Sequence, residues 1–327
     1  MDIYFEKEYA KLYEKSGEEK VEEFILKTDN GIIKNLFMKR KIDSEDLDQQ
    51  YYDLITPYGY GGPIIIEANN KEELIKEYKE EFSKYCEKNN VVSEFIRFHP
   101  IYKNALDVKE IYDVIFSRKT VGTNIKDFDD PVQSDFSKNA RREVRQALKK
   151  DIKVHVIEQP SNFDNFKKLY YETMNRNNAN EEYYFDDKYF NTILKFFSND
   201  VLLVELEHEN EIMASELYFT KGKILHAHLL GSNDKLLELN AGSLLEATAA
   251  EWGKKNGFKY IHHGGGRTSD PEDSLFKYKK KFGKNTEFDF YVGKKIWNRE
   301  IYDKLVDAKN LSEEEKNSEF FPLYRIK

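Results

Sequence analysis

The stretch DVLLVELEHENEIMASELYFTKGKILHAHLLGS, residues 200–232, determines the kind of fold to expect. It contains three apolar segments of strand length, separated by short polar connections at Glu209-Asn210 and Lys221-Gly222. Such connections between apolar runs are typical of tight turns between antiparallel strands. The stretch therefore predicts a three-stranded antiparallel sheet. A two-residue turn at Lys221-Gly222 would place Ser215 close to His228 on the neighbouring strand.

The segments on both sides of this stretch predict alternating helices and strands. Upstream, we expect a strand from about Lys153 and helices around 162–176 and 187–198. Downstream, the sequence AGSLLEATAAEWGKKNGFKYIHHGGG begins at Ala241. It predicts a helix that closes at Asn256-Gly257, followed by a strand and a glycine loop.

The first half of the chain contains the same kinds of element. An Asn30-Gly31 turn between apolar runs predicts a β-hairpin, and apolar side chains at helical spacing predict a helix over 71–88. The segment SEFIRFHP predicts a strand that Pro100 ends, and a helix is expected over 138–150. The element order therefore suggests two copies of one α/β unit.

Composition and charge limit the possible classes of protein. The chain has 327 residues, a net charge of -8 and one cysteine, Cys86, which we expect to be buried. An acidic chain is not typical of a protein that binds nucleic acid over its whole surface, so a polyanion would need a local basic patch. The sequence has no apolar run of membrane-spanning length and no secretory signal, so we expect a cytoplasmic protein without a membrane span.

Lysine and arginine are concentrated in two clusters. Within 138–150, six cations stand against Glu143 alone, and a second cluster lies within 277–284. Each cluster fits either a solvated surface or a phosphate site for a nucleotide-linked substrate, CoA or tRNA. From these clusters we select Arg142, Arg145 and Lys280 as candidate ligands of a donor phosphate.

Short motifs leave several alternatives open. TPYGYGGP, residues 56–63, lacks the spacing of a P-loop or a dinucleotide loop, so it predicts a tight turn or a pocket wall. In HHGGGR, residues 262–267, adjacent histidines on a strand point to opposite faces, and no metal site is expected. Glu216 is either a general base in a cleft or a surface carboxylate.

Several segments, in order, resemble the Fem-type aminoacyl and acyl transferases of the GNAT acyltransferase superfamily. The matching segments cover most of residues 51–295, and they are YYDLITPYGYGGP, FIRFHP, SKNARREVRQALKKDIKV, YYETMNRNNANEEYYF, LLGSNDKLLELNAGSLLEATAAEWGKKNGFKYIHHGGGR and FKYKKKFG. The resemblance implies an α/β (α+β) fold of two tandem GNAT-like domains, each a mostly antiparallel sheet flanked by helices, with a cleft between them. We expect an N-terminal, acceptor-side domain of residues 1–150 completed by a tail of about 308–327, and a C-terminal, donor-side domain of residues 151–307.

The resemblance also implies a reaction. In Fem-type members, an aminoacyl-tRNA donates to the amino group of a peptidoglycan precursor, and other relatives use acyl-CoA to modify sugars or other amines. We therefore expect an acyltransferase of cell-envelope biosynthesis that forms an amide bond. Its co-substrate would be acyl-CoA or aminoacyl-tRNA, with no bound cofactor, and its acceptor would be an amine on a small molecule, peptide or sugar. A non-catalytic binding module for a nucleotide-linked envelope precursor and a structural partner protein are the alternatives.

Individual residues follow from the matching motifs. Lys279 matches the basic residue of the family's FK-x-x-F pattern, implied to hold phosphate or to stabilise the transition state. Tyr184 and His228 are implied to contact the acceptor. The glycine-rich segment is implied to lie near the acceptor too, and it contributes Tyr58, Gly59, Tyr60, Gly61 and Gly62.

The sequence also departs from the family pattern. His99 stands where peptidoglycan-modifying members often have Asp, so His99 or Glu216 would be the proton acceptor. His228 stands where many relatives have Tyr, and both changes put a muramyl-pentapeptide acceptor in doubt. The pyrophosphate loop of ordinary acetyl-CoA enzymes is missing; only Gly242 remains at a helix start, where phosphate is still favoured.

Overall fold

The computed structural model describes residues 1–15, 17–45 and 47–326. Ser16, Asp46 and Lys327, the last residue of the predicted tail, lie outside the described residues. The chain forms two compact units. We name the units for their positions in the sequence. The central unit contains Met1–Ile3 and Arg118–Phe288, and the flanking unit contains Tyr4–Ser117 and Asp289–Lys327.

The described residues form twelve strands and eleven α-helices. The strands are β1 (Glu19–Thr28), β2 (Gly31–Ile42), β3 (Tyr51–Ile55), β4 (Ile64–Ala68), β5 (Val91–Arg97), β6 (Asp113–Asn124), β7 (Ile152–Glu158), β8 (Val201–His208), β9 (Glu211–Phe219), β10 (Ile224–Ser232), β11 (Tyr260–Gly264) and β12 (Glu287–Ile296). The helices are α1 (Lys7–Lys11), α2 (Lys71–Lys88), α3 (Pro131–Asp135), α4 (Lys138–Ala147), α5 (Asp164–Arg176), α6 (Asp187–Phe197), α7 (Asp234–Glu238), α8 (Gly242–Lys255), α9 (Ser274–Lys280), α10 (Arg299–Ala308) and α11 (Glu313–Lys316).

The central unit is a mostly antiparallel sheet with the strand order β6-β11-β10-β9-β8-β7. Within this order, β10 and β11 form the parallel pair. Leu244 and Leu245 on the apolar face of helix α8 belong to one buried core with Met213 and Tyr218 of β9. Burial of that face accounts for the helix, whose first residue has no side-chain cap.

The flanking unit is also a sheet, with the order β1-β2-β3-β5-β12, and β4 pairs with β2. The predicted hairpin at Asn30-Gly31 joins β1 and β2, and Gly31 has a φ of +144°. Helix α2 buries Leu74, Tyr78, Phe82 and Cys86 against this sheet, so the thiol is buried as expected. A mixed α/β fold with mostly antiparallel pairing is thus confirmed.

The compact units divide at positions other than the expected domain boundaries of 150 and 307. Residues 118–150 belong to the central unit, because α3 and α4 pack against α8 through buried Phe136, Ala140 and Val144. Residues 289–307 belong to the flanking unit, because β12 pairs with β5 and α10 packs on it. The amphipathic sequence pattern of α4 predicts that one face of the helix is buried, but it does not predict which of the two units buries that face.

The three-strand prediction for 200–232 is confirmed, but its predicted register is wrong. The turn at Glu209-Asn210 has positive φ at both residues, as a tight hairpin requires. The next connection has four residues, 220–223, and a bulge at His228 adds one more, so Ser215 pairs with Gly231. The side chains of Ser215 and His228 are therefore not opposite each other, and Ser215 instead donates a hydrogen bond to Glu205.

The sequence predicts no membrane span, and this prediction concerns the length and hydropathy of the helices. In residues 1–15, 17–45 and 47–326, no helix is both long enough and apolar enough to cross a bilayer.

Candidate active site

A cluster of buried ionisable side chains lies in the central unit. Glu216 of β9 and Glu246 of α8 are each about 6 % exposed, and both act electrostatically on the ammonium group of Lys279. The Tyr218 hydroxyl lies 3.3 Å from Glu246 Oε2, and His263 Nδ1 lies 3.5 Å from the same oxygen. The fold thus brings two sequence candidates, Glu216 and Lys279, into one site.

The site lies where two parallel strands part. Pairing between β10 and β11 runs from Ile224–Tyr260 to His226–His262, although the strands continue to Ser232 and Gly264. Glu216 pairs with Leu230, beyond the point of parting, and His263 is the first residue of β11 beyond it. Strands that part have backbone groups that are available to a ligand.

Lys279 is held by the glycine loop after β11. Its Nζ donates a hydrogen bond of 2.8 Å to the carbonyl oxygen of Gly265. Burial lowers the pKa of Lys279 to about 8, against the opposing effects of Glu246, Glu216 and Asp273. A lysine with this pKa keeps most of its charge at neutral pH and changes its protonation state just above it.

The glycine loop turns closely over the start of α9. A Cβ atom on Gly266 would lie 2.6 Å from Asp273 Oδ1, and Gly264 has a φ of +76°. Asp273 caps α9 by accepting from the Phe276 amide, and it also accepts from the amide of Arg267. These contacts show that the glycine loop turns the chain between β11 and α9.

Glu216 has an environment that favours its neutral form. Burial, followed by the charge of Glu246, raises the pKa of the Glu216 carboxyl well above its usual range, and the Tyr218 hydroxyl opposes this only in part. A carboxyl that remains protonated cannot accept a proton from an amine. The prediction of Glu216 as proton acceptor is therefore not favoured by its surroundings.

The two histidines of HHGGGR point in different directions, as expected. His262 hydrogen-bonds to Thr120 at 3.0 Å, whereas His263 Nε2 hydrogen-bonds to Thr123 Oγ1 at 2.9 Å. Thr123 donates its own proton to the Phe282 carbonyl, so the Nε2 of His263 is the donor in their contact. The Nδ1 atom of His263 therefore faces Glu246.

The two basic clusters are neighbours in the central unit. The Ser137 amide donates to the Lys281 carbonyl at 2.7 Å, and Lys281 Nζ forms an ion pair with Glu143 of α4. Arg142 and Arg145 are exposed on α4. Three cations of the 277–284 cluster are paired with carboxylates, namely Lys277 with Glu272, Lys280 with Glu287 and Lys281 with Glu143. Lys280, a predicted phosphate ligand, is thus partly neutralised.

The carboxylate of Glu143 lies near the N-terminus of α8, which begins at Gly242. The Ser243 hydroxyl donates to Glu143 Oε2 at 2.5 Å, and Lys281 reaches the same oxygen at 2.7 Å. Although burial acts in the other direction, Lys281 and Ser243 together lower the pKa of Glu143, so it is ionised. A phosphate at the N-terminus of α8 would have to share this region with that negative charge.

The two implied acceptor contacts in this unit differ in exposure. His228 lies at the β10 bulge and hydrogen-bonds through Nε2 to the Tyr189 hydroxyl at 2.5 Å. Burial, with a smaller effect of His226, lowers the pKa of His228 to about 3, so the ring is neutral at physiological pH. Tyr184 is 38 % exposed, and its hydroxyl donates to Asn175.

The glycine-rich segment lies in the flanking unit, where Arg97 of β5 holds it. Arg97 donates to the carbonyl oxygens of Thr56, Pro57 and Gly59. A Cβ on Gly59, whose φ is +91°, would lie 2.3 Å from the ring of Tyr4. Tyr58 is exposed, whereas the Tyr60 ring packs edge-on against Tyr4. The Gly61 carbonyl accepts a hydrogen bond from Asn104, and Gly62 has a φ of +82°.

His99, also in the flanking unit, has a structural role in its turn. It is fully buried, and its Nδ1 accepts from the amides of Ile101 and Tyr102 at 3.2 and 3.3 Å. In the neutral ring the proton therefore lies on Nε2, and the lone pair of Nδ1 is already used. This arrangement does not favour His99 as a general base.

Sequence reasoning missed Glu246, Tyr218 and the role of His263. Glu246 occupies a position on the buried face of α8, where a charged residue is rare without a partner. The sequence did contain a signal for Glu246, because a carboxylate on an otherwise apolar helix face predicts a buried polar partner.

One protein family matches the part of the chain that contains this cluster. The family described as "Acetyltransferase (GNAT) domain" matches residues 134–280, a range that includes Glu216, Glu246 and Lys279. No curated protein matches the chain. The crystal structure of FemX is similar over 93% of this chain and 94% of its own, with a TM-score of 0.67 and 14% identity.

Lysylphosphatidylglycerol synthetases have a similar fold. The structure of L-PGS from Bacillus licheniformis has a TM-score of 0.57 at 14% identity, covering 85% of this chain and 84% of its own. The C-terminal domain of a protein from Agrobacterium fabrum assigned as such a synthetase has a TM-score of 0.58 at 13% identity, covering 90% and 89%. At these identities the likeness shows the fold alone. The buried cluster thus lies within the segment that matches the GNAT acetyltransferase domain, and the fold of the chain is similar to that of FemX.

Proposed function

We propose that this protein transfers an acyl or aminoacyl group from a phosphate-bearing activated donor to an amine, and forms an amide bond. The observation that carries the proposal is the half-buried Lys279, whose ammonium is hydrogen-bonded to Gly265 within the segment that matches the GNAT domain. The acceptor would be an amine on a cell-envelope precursor, peptide or sugar, as the resemblance to Fem-type transferases implies.

Lys279 has the chemistry for the central role. When an amine attacks an acyl carbonyl, negative charge develops on the carbonyl oxygen, and a fixed positive charge in a water-poor site stabilises it. The hydrogen bond to Gly265 holds Nζ in place, so little reorganisation is needed during the reaction. A donor phosphate is the alternative target of the same charge. We retain Lys279 as the catalytic residue and assign no base to His99 or Glu216.

The surface of α4 supports a donor that carries phosphate. Arg142 and Arg145 are exposed on this helix, and the contact between Ser137 and Lys281 makes the two basic clusters adjacent. Two donors share this chemistry, namely acyl-CoA and aminoacyl-tRNA. A tRNA would use the exposed cations of α4 along its backbone, whereas CoA would need only a few of them.

The experiment separates the two donors. Thermal stabilisation by acetyl-CoA is measured beside a gel shift with aminoacylated tRNA, using the wild type and a double variant with Arg142→Ala and Arg145→Ala. Lys188→Ala, an exposed cation on α6, is the matched control. A tRNA donor predicts a salt-dependent shift that the double variant loses and the control retains, whereas a CoA donor predicts stabilisation and no shift.

Product formation tests the reaction itself. Each donor is incubated with the protein and with ligands that co-purify with it, and mass spectrometry is used to search for an amine that gains the acyl mass. Binding of a donor or precursor without any product would instead favour a non-catalytic binding module.

A further inference from the structure

A carboxylate of the chain itself lies at the N-terminus of α8. Glu143 Oε2 accepts one hydrogen bond from Ser243 Oγ at 2.5 Å and another from Lys281 Nζ at 2.7 Å. Glu143 Oε1 accepts a third from Asn139 at 2.9 Å. Ser243 belongs to α8, Asn139 belongs to α4, and Lys281 directly follows α9. Groups from three parts of the central unit thus hold this carboxylate.

The groups that hold Glu143 are of the kind that binds a phosphate group. A hydroxyl and an ammonium group donate to the same oxygen atom, and the N-terminus of a 14-residue helix adds the positive end of the helix dipole. Ala241, the residue before α8, provides no side-chain cap. The carboxylate of Glu143 therefore supplies the negative charge that this helix start favours.

Tyr278 and Ser137 fix the surroundings of this carboxylate. Lys281 Nζ lies 5.5 Å from the centroid of the Tyr278 ring, and the Lys281 carbonyl accepts from the Ser137 amide at 2.7 Å. A Cβ atom on Gly242 would lie 3.2 Å from the Tyr278 hydroxyl, so this ring packs closely against the first residue of α8. A phosphate at Gly242 would therefore need room that Tyr278 and Glu143 already occupy.

The charge of Glu143 acts against a phosphate at the same place. Burial raises the pKa of Glu143, but Lys281 and Ser243 outweigh burial and bring the pKa below its usual range, so the carboxylate is ionised at neutral pH. An ionised carboxylate within a few ångströms repels an incoming phosphate, and the ammonium of Lys281 is already paired with it. A fixed like charge of this kind discriminates against one class of ligand.

We propose that Glu143 is a specificity-determining residue that closes the N-terminus of α8 to phosphate. Its carboxylate fills the position between Ser243 and Lys281 that a phosphate group would take. The consequence for the donor rests on the proposed function: the donor's phosphates would bind at the exposed Arg142 and Arg145 of α4 instead of at the start of α8. The closure itself does not depend on any reaction.

Calorimetric titration with inorganic pyrophosphate tests the closure without any acyl donor. We expect Glu143→Ala to bind pyrophosphate at least roughly tenfold more tightly than the wild type, because Ser243 and Lys281 then lack their carboxylate partner. Adding Lys281→Ala to this variant should remove most of the gain. Glu172→Ala, which removes an exposed acid of α5, is the matched control for net charge and should resemble the wild type. Equal affinities of Glu143→Ala and the wild type, or an equal gain in Glu172→Ala, overturn the proposal.

A second measurement uses the wild-type protein and does not depend on how the variants fold. Amide NMR during a pyrophosphate titration should leave the resonances of Gly242 and Ser243 unshifted in the wild type. A saturable shift of these two amides in the wild type overturns the proposal. Failure of the acyl-transfer assays would leave both pyrophosphate results unchanged, so a failure of the proposed function is distinguishable from a failure of this inference.

Discussion

The Nζ atom of Lys279 donates a 2.8 Å hydrogen bond to the carbonyl oxygen of Gly265, and this bond links α9 to the loop after β11. Replacing Lys279 by Ala removes the positive charge from the buried site. We expect the transfer rate to fall roughly hundred- to thousandfold, as for loss of one oxyanion-stabilising group. Lys277→Ala, which removes a surface cation of the same helix, is the matched control. Full turnover by Lys279→Ala would rule out the assigned role.

The pH dependence of transfer should reflect the same side chain. Burial lowers the pKa of Lys279 to about 8, and the proposed mechanism needs its protonated form. The rate should therefore decline above pH 8, towards tenfold per pH unit, once the rise due to deprotonation of the acceptor amine is subtracted. Lys279→Arg, which stays charged, should remove this decline. A decline that persists in Lys279→Arg would point to another group.

Glu94 makes the stability of the flanking unit depend on pH. It is buried and accepts from Asn35, Tyr112 and Trp297, and burial raises its pKa to about 7 against those hydrogen bonds. The folded state therefore binds the proton more tightly than the unfolded state, where the pKa is about 4.5. This contribution is complete below pH 4.5 and is lost as the pH rises through 7, by up to about 3 kcal/mol.

Urea unfolding at pH 5 and at pH 8 checks this prediction for Glu94. The difference in unfolding free energy between Glu94→Gln and the wild type should move in favour of the variant as the pH rises. Glu87→Gln, an exposed position on α2, provides the control and should show the same difference at both pH values. A Glu94→Gln difference that is constant between pH 5 and 8 would contradict the prediction.

The C-terminal segment is expected to stabilise the flanking unit. The Tyr324 hydroxyl lies 2.7 Å from Ser93 Oγ, and Arg325 Nε donates to the buried carboxylate of Asp53 at 2.8 Å. Removing the chain from Glu319 onwards should lower the melting temperature, and Tyr324→Ala alone should cost roughly 3–5 kcal/mol. Phe320→Ser, at a side chain that is 50 % exposed, is the control and should have little effect. An unchanged melting temperature of the truncated protein would be incompatible with this role.

A comparison of Gly59 with Gly257 separates the cost of positive φ from the cost of steric crowding. Both have positive φ, +91° and +70°. A Cβ on Gly59 would lie 2.3 Å from the Tyr4 ring, whereas a Cβ on Gly257 would have no neighbouring atom within 4 Å. Gly257→Ala should therefore cost about 1–2 kcal/mol from its backbone conformation alone. Gly59→Ala should cost clearly more, because the ring of Tyr4 must move. Denaturant unfolding of the two variants gives the comparison, and equal costs would argue against the close packing at Gly59.

Much of the secondary structure could be predicted from the sequence. The bounds of α2, the hairpin at Asn30-Gly31 and the turn at Glu209-Asn210 depend on apolar spacing and on residues that tolerate positive φ, and both signals are local. The register of β10 was not predictable, because a bulge at His228 and a four-residue connection leave no clear local mark. Lys279 and Glu216 were assigned to one reaction from a motif and from a hairpin, but neither local pattern shows that the two side chains are close enough to interact.

Local sequence patterns are sufficient to predict most strands and helices and the Lys279 motif, because these properties depend on residues close together in the chain. Which charged side chains lie close together depends on the folded arrangement of distant segments. Glu246, His263 and Lys279 lie on three different elements, α8, β11 and α9, and the pKa of Lys279 depends on its burial and on carboxylates that other elements supply. Local sequence patterns do not encode that arrangement, so the electrostatics of the site had to come from the fold.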